Sequence, residues 1–257
     1  MSRGALITSS TTGLGLAIAR SFAERGYDIM LNGPEDESLQ ETVNEFCQKY
    51  GVKVGYHGGK IAAENESKDL VNFALKVLGS IDVLINVCSP MARGNIKNIT
   101  KEMWSQEVTE TLAGAFYVIK EAMPQMLAQK FGRVITIASS HSLIAEQDRV
   151  ALTTAMHGLV GLTKSVAVDC APNNITANII CPGYVLTPKM STYVEAIARE
   201  RNLSFEAASA TLLSGKHLTT NYVRSDAVAN LALYLASADA DQVTGGVFPL
   251  DAGWTAH

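Results

Sequence analysis

"TSSTTGLG", Thr8 to Gly15, is the stretch whose reading decides the fold. It follows Gly4 to Thr8, which reads as a strand, and opens into Leu14 to Arg25, a helix stopped by Gly26. Strand, glycine turn and helix in that order set free N–H groups and a positive dipole end beside a backbone that can approach an anion closely. A pyrophosphate suits such a turn. A glycine pair there also serves plain close packing, so the turn takes its meaning from its surroundings.

Outward from it, short β-rich runs alternate with longer amphipathic stretches, the pattern of a parallel sheet with helices on both faces. Strands are expected near Asp28 to Leu31, Lys53 to Tyr56, Ile81 to Val87, Arg133 to Ala138, Ile175 to Cys181 and Gly246 to Leu250. Helices are expected at Glu35 to Tyr50, Asn65 to Leu78, Lys101 to Gln129 (bent at Pro124), Leu152 to Ala171 and Ser225 to Ser237, with a polar helical excursion at Thr187 to Leu213. The fold class is therefore α/β, a Rossmann-like doubly wound seven-stranded parallel sheet in a single domain, residues 1–257. In such sheets ligands bind beyond the carboxyl ends of the strands.

The chain has 257 residues, 47% hydrophobic and 18% charged, enough for one large, well-buried domain. A formal charge of −4 and the lack of a Lys/Arg cluster interleaved with aromatics argue against nucleic acid as a partner. The apolar runs are too short for a bilayer and "MSRGALITSS" turns strand-like too early for a signal peptide, so the expected setting is cytoplasmic. Cys47, Cys88, Cys170 and Cys181 are scattered without metal-ligand spacing and read as reduced, mostly buried thiols.

With "INVCSP" (Ile85 to Pro90), "RVITIASSHSL" (Arg133 to Leu143), "HGLVGLTKSVA" (His157 to Ala167), "ITANIICPGYVLTP" (Ile175 to Pro188) and the tail "LDAGWTAH", the chain resembles the short-chain dehydrogenase/reductases from end to end. More narrowly, it looks like their 3-hydroxybutyrate dehydrogenase branch, which also follows the second strand with Leu-Asn-Gly (Leu31 to Gly33) and ends in Gly-Trp-Thr-Ala. The resemblance implies bound NAD or NADP, usually a tetramer, and hydride transfer served by a Ser, a Tyr, a Lys and an Asn. Carried over, the Ser is Ser139. The Tyr position holds Leu152, the Lys position Met156 and the Asn position Thr111.

A ketone that accepts hydride becomes an alkoxide in need of a proton, and Leu152 has none to give. Met156 has no charge with which to stabilise a phenolate. Core filling at helical spacing is the plain reading of both. The cofactor positions that match are Gly13, Gly15, Asn86 and Thr187. Ser9 replaces the first loop glycine, and a positive φ there would cost about 1–2 kcal/mol. Lys60 replaces an Asp that accepts from the adenine amino group, which an ammonium cannot do. These departures count against tight dinucleotide binding; the absence of Arg near Ser9 or after Asn32 favours NAD over NADP. The branch's substrate positions fall on Met91, His141, Arg149 and Tyr184, an outline of a pocket for a small carboxylic acid.

The expectation is a degenerate, pseudoenzyme-like member that binds a small molecule or a partner. The alternative is an NAD-dependent oxidoreductase for a short hydroxy or keto acid in which His141, Tyr184 or Lys164 supplies the proton. A base for elimination or isomerisation would be His141 or Glu146. The resemblance further implies a lid at about 187–222, including Lys189, Lys216 and His217, and a homo-oligomer, with a paralogous subunit as another partner.

Overall fold

The computed structural model describes residues 3–34, 39–88 and 93–256. Seven strands form one parallel sheet: β1 (Gly4–Ile7), β2 (Asp28–Gly33), β3 (Val54–Gly58), β4 (Val83–Val87), β5 (Gly132–Ile137), β6 (Ile175–Pro182) and β7 (Val247–Leu250), in the order β3-β2-β1-β4-β5-β6-β7. The connecting helices are α1 (Gly13–Glu24), α2 (Leu39–Tyr50), α3 (Glu64–Leu78), α4 (Lys101–Glu107), α5 (Gly114–Gln129), α6 (Val150–Cys170), α7 (Pro188–Arg201), α8 (Phe205–Leu213) and α9 (Ser225–Ala236).

The central strands are buried on both faces, which is why they read as continuous apolar runs. Successive residues still point to opposite sides. Ala5 and Ile7 join Ile18 and Phe22 of α1 and Val228 and Leu235 of α9 in one layer. Leu6, between them, joins Leu70 of α3, Val118 of α5 and Ala167 of α6 in the other. The strand order reverses between β1 and β4, so the loops after these strands diverge and leave a crevice at their carboxyl ends.

Several boundaries shift for local reasons. The fourth strand starts at Val83 rather than Ile81, because the Asp82 carboxylate accepts from Gly4 N at 2.8 Å and Ser80 Oγ at 2.9 Å and so organises a turn. The helix expected over Lys101 to Gln129 is interrupted: α4 and α5 are joined by a π-helical turn, Val108–Ala113, and α5 runs through Pro124 to its end. The polar excursion is two helices, with Thr187 Oγ1 capping α7 and Ser204 Oγ capping α8. Glu35 to Ser38, where the second helix was expected to begin, lie outside the described residues. Among the described residues, no helix is long and apolar enough to cross a membrane. All four cysteines are free, and Cys47 is exposed where a buried thiol was expected.

Candidate functional site

The glycine turn packs as its sequence demands. A Cβ placed on Gly15 would lie 2.2 Å from the Ser9 carbonyl oxygen and 2.8 Å from Ser10 Cα, so the first turn of α1 sits directly on the end of β1. Gly13 has φ +58°, and a Cβ on it would lie 3.7 Å from Thr187 Cβ, which brings the turn and the Pro-Gly segment after β6 together. Ser9 does adopt positive φ, +48°, so its strain is real. Thr12 caps α1 without a side-chain hydrogen bond, and no acidic residue occupies the first turn. The helix N-terminus therefore keeps backbone donors for an anion.

From this turn a cleft of about 380 Å³ runs across the ends of β1, β2 and β4, lined in part by Ser9, Gly33, Lys60, Asn86 and Glu107. Asn86 is 1% exposed, and among the described residues neither its amide nitrogen nor its amide oxygen has a partner. Burying such a group without hydrogen bonds costs on the order of 1–3 kcal/mol, so a polar ligand that supplied them would recover it. An open helix N-terminus and an unsatisfied amide fit a nucleotide. Lys60, which cannot accept from adenine, is paired instead with Glu110 at 2.6 Å, linking the loop after β3 to the π-helical turn.

Thr111 stands on that same turn and donates to the buried Glu107 carboxylate at 3.0 Å. Cys88 also lines the cleft. Burial, reinforced by the charge of Glu107, pushes its thiol up to about 12. Past Cys88 the character changes. Leu152 is 2% and Met156 0% exposed, both packed with Ala115, Ala138 and Ile179 in an apolar cluster. The residues lining the cleft do not include either of them, or Ser139.

Ser139 belongs to a different group. Its Oγ accepts from His141 N at 3.3 Å and lies 3.4 Å from His141 Nδ1. His141 Nε2 sits 3.1 Å from Glu146 Oε2, and Lys216 Nζ donates to Glu146 Oε1 at 2.5 Å and to Tyr184 Oη at 2.9 Å. Arg149 Nε stands 3.8 Å from Glu146 Oε2. The His141 hydrogen bond, helped by Lys216 against the opposing effect of burial, holds the Glu146 carboxyl down at about 2. Burial disfavours the Lys216 ammonium, but its bonds to Glu146 and Tyr184 outweigh this and keep its pKa above the ordinary lysine value. Trp254 packs over the group, 5.1 Å from the Tyr184 ring and 5.6 Å from that of His141.

The sequence-derived residues thus fall into two places. Gly13, Gly15, Asn86 and Thr187 border the cleft or its turn; Ser139, His141, Arg149 and Tyr184 gather around Glu146. Met91 lies outside the described residues, as does Ser89. Sequence reading missed Glu107 and the part Trp254 plays in the pocket, and it named Glu146 only as a base and Lys216 only as part of a lid. Their partners are 70 residues apart in the chain, so no local pattern marks the pair. His217 is buried, accepting from Tyr184 N at Nε2 and meeting Asn221 O at Nδ1, and a Cβ on Gly183 would collide with it at 2.5 Å. It is a packing residue of the wall behind Tyr184.

A doubly wound sheet with a glycine turn at its switch point and the Ser139 loop beyond β5 defines the class, and the chain belongs to the short-chain dehydrogenase/reductases. The family described as enoyl-(acyl carrier protein) reductase matches residues 8–255. Among curated proteins, the chain is 36% identical to the D-beta-hydroxybutyrate dehydrogenase of Cupriavidus necator over 254 residues, 98% of each chain. It is 35% identical to the protein of the same name from Rhizobium meliloti over 258 residues, 100% of each. Among solved structures, the actinorhodin polyketide ketoreductase with NADPH superposes with a TM-score of 0.92 at 28% identity, covering 100% of this chain and 98% of that one.

Proposed function

We propose that this chain is a 3-hydroxybutyrate dehydrogenase-like protein that binds a nicotinamide dinucleotide, NAD in preference to NADP, and a short carboxylic acid, and that transfers hydride poorly or not at all. The nucleotide would lie along the cleft from the turn of Gly13 and Gly15, with Thr187 beside that turn, to Asn86. The acid would lie against His141, Arg149 and Tyr184. The observation that carries the reading is the pair Leu152 and Met156, buried in an apolar cluster at the family's Tyr and Lys positions. A positioned general acid typically contributes about 10²- to 10⁴-fold to rate, and neither side chain can supply a proton or the cation beside it. On this reading the protein works by binding, as a homo-oligomer or beside a catalytically complete paralogue, with the helices between Thr187 and Tyr222 as its lid.

Titration with NADH and NADPH by fluorescence, run beside an acetoacetate reduction assay of this protein and of the Cupriavidus necator relative, tests it. The expected result is nucleotide binding with turnover at least about 10²-fold below the relative. Equal rates end the proposal. The hydrogen-bonded run Ser139–His141–Glu146 favours a second reading, an active oxidoreductase in which His141 protonates the alkoxide through Ser139. Under it, Ser139→Ala and His141→Gln each abolish a measurable rate; under the first reading there is no such rate to lose.

A further inference from the structure

Three basic side chains, His141, Arg149 and Lys216, converge on one carboxylate, and that carboxylate belongs to the chain itself. Their side chains are 7%, 16% and 23% exposed, and Glu146 is 23% exposed, so this is a largely buried group and not a surface ion cluster. Tyr184 and Trp254 close it, the Lys216 ammonium lying 5.0 Å from the first ring centroid and 5.2 Å from the second. Such a set of fixed donors on one side and aromatic faces on the other is built to hold a small carboxylate.

The satisfaction of the donors is uneven. Lys216 and His141 make close contacts, whereas Arg149, with five N–H donors, has among the described residues a single ion pair at 3.8 Å. One carboxylate is shared by two permanent cations, Lys216 and Arg149, and a histidine. The pocket is therefore occupied, yet not filled in charge.

We infer that Glu146 is a tethered stand-in for the carboxylate of a short acid and sets the specificity of this pocket: a free carboxylate reaches the three basic groups only in competition with it. The inference rests on the reading of this pocket as an acid site and adds its regulation. A group tethered by a short loop acts at an effective concentration in the millimolar range or above, so a free acid must exceed that concentration or bring contacts of its own. Because the carboxyl is held so far below the ordinary glutamate range, mild acid does not release it. Displacement by another anion opens the site without acid.

The test is an NMR titration of the full-length protein with acetoacetate, and with 4-hydroxy-2-butanone as an uncharged probe of similar size. Glu146→Gln keeps the shape and removes the charge; Glu146→Ala removes the whole group. Both are expected to bind acetoacetate at least about 10-fold more tightly than the parent, with the neutral probe unchanged. Adding Arg149→Met to either variant is expected to erase the gain. Unchanged or weaker acetoacetate binding in both variants overturns the inference, as does an equal gain for the neutral probe. Absence of acetoacetate binding in every protein, with melting temperatures preserved, overturns it as well. NADH titration and turnover of the same proteins report separately on the proposed function, since Glu146 does not line the nucleotide cleft.

Discussion

The cleft at the switch point and the pocket around Glu146 were shaped by the same sheet, but they are finished differently. In the cleft, polar groups are left open: Asn86 is buried and, among the described residues, unpartnered, and the start of α1 keeps its backbone donors. Around Glu146 the chain has supplied its own partner for the cations, and Leu152 and Met156 are packed away in an apolar cluster. A region that leaves hydrogen bonds unmade stores a binding energy for something else, whereas a region that completes them contributes to its own stability. The first is prepared for a ligand. The second has been given over, at least in part, to folding.

The sharpest way to break this contrast is to supply the acid and the cation that the proposed function holds to be absent. Leu152→Tyr combined with Met156→Lys is expected to raise acetoacetate reduction by about 10²-fold or more over the parent, read in a steady-state assay with NADH. It should also lower stability by several kcal/mol, because Met156 is fully buried and an ammonium there must be desolvated. A gain in rate without loss of stability would mean that this apolar cluster is wetter than its burial implies.

The next largest effect belongs to the cleft. Gly15→Ala forces a Cβ against backbone at 2.2 Å, which no side-chain rotation relieves. The expected cost is about 1–3 kcal/mol in urea unfolding, with nucleotide affinity falling by a larger factor than in Asn86→Ala, where only the two amide contacts are lost.

Acid titration probes the pocket. The Glu146 pKa in the folded protein, about 2, lies below its ordinary value of 4.5, so the carboxylate stabilises the fold above about pH 4.5, and that contribution is lost as the pH falls towards 2. With 23% of the side chain still exposed, the contribution is about 2 kcal/mol after allowance for solvent screening. Urea unfolding of the parent and Glu146→Gln across this window is expected to show a gap that closes with acid. A constant gap would assign the effect to packing. The smallest effect is that of Ser9→Gly, which relieves a positive φ but loosens the unfolded chain, for a net gain of up to about 1 kcal/mol.

How much of this was legible in the sequence depends on the range of each interaction. The strands of the buried sheet and the glycine turn were legible because apolar runs and Gly13 and Gly15 report on their own backbone. The strain at Ser9 could be stated in advance as a condition, and its φ meets that condition. The π-helical turn could not be foreseen, since one altered turn within Lys101 to Gln129 leaves the apolar pattern nearly intact. Substitutions were equally visible, but not their compensation. Lys60 read as a defect, and only the fold shows Glu110, fifty residues on, as its partner. Glu146 and Lys216, and Trp254 over Tyr184, are likewise products of topology.

Cys88 lines the cleft and packs against the apolar cluster of Leu152 and Met156. At neutral pH a thiol with a pKa of about 12 is ionised to roughly one part in 10⁵, and the thiolate is the form that reacts. Peroxide, glutathione and alkylating reagents would therefore pass it by and find the exposed Cys47 first. That leaves Cys47, on α2 and not among the residues lining the cleft, as a natural handle for a fluorophore.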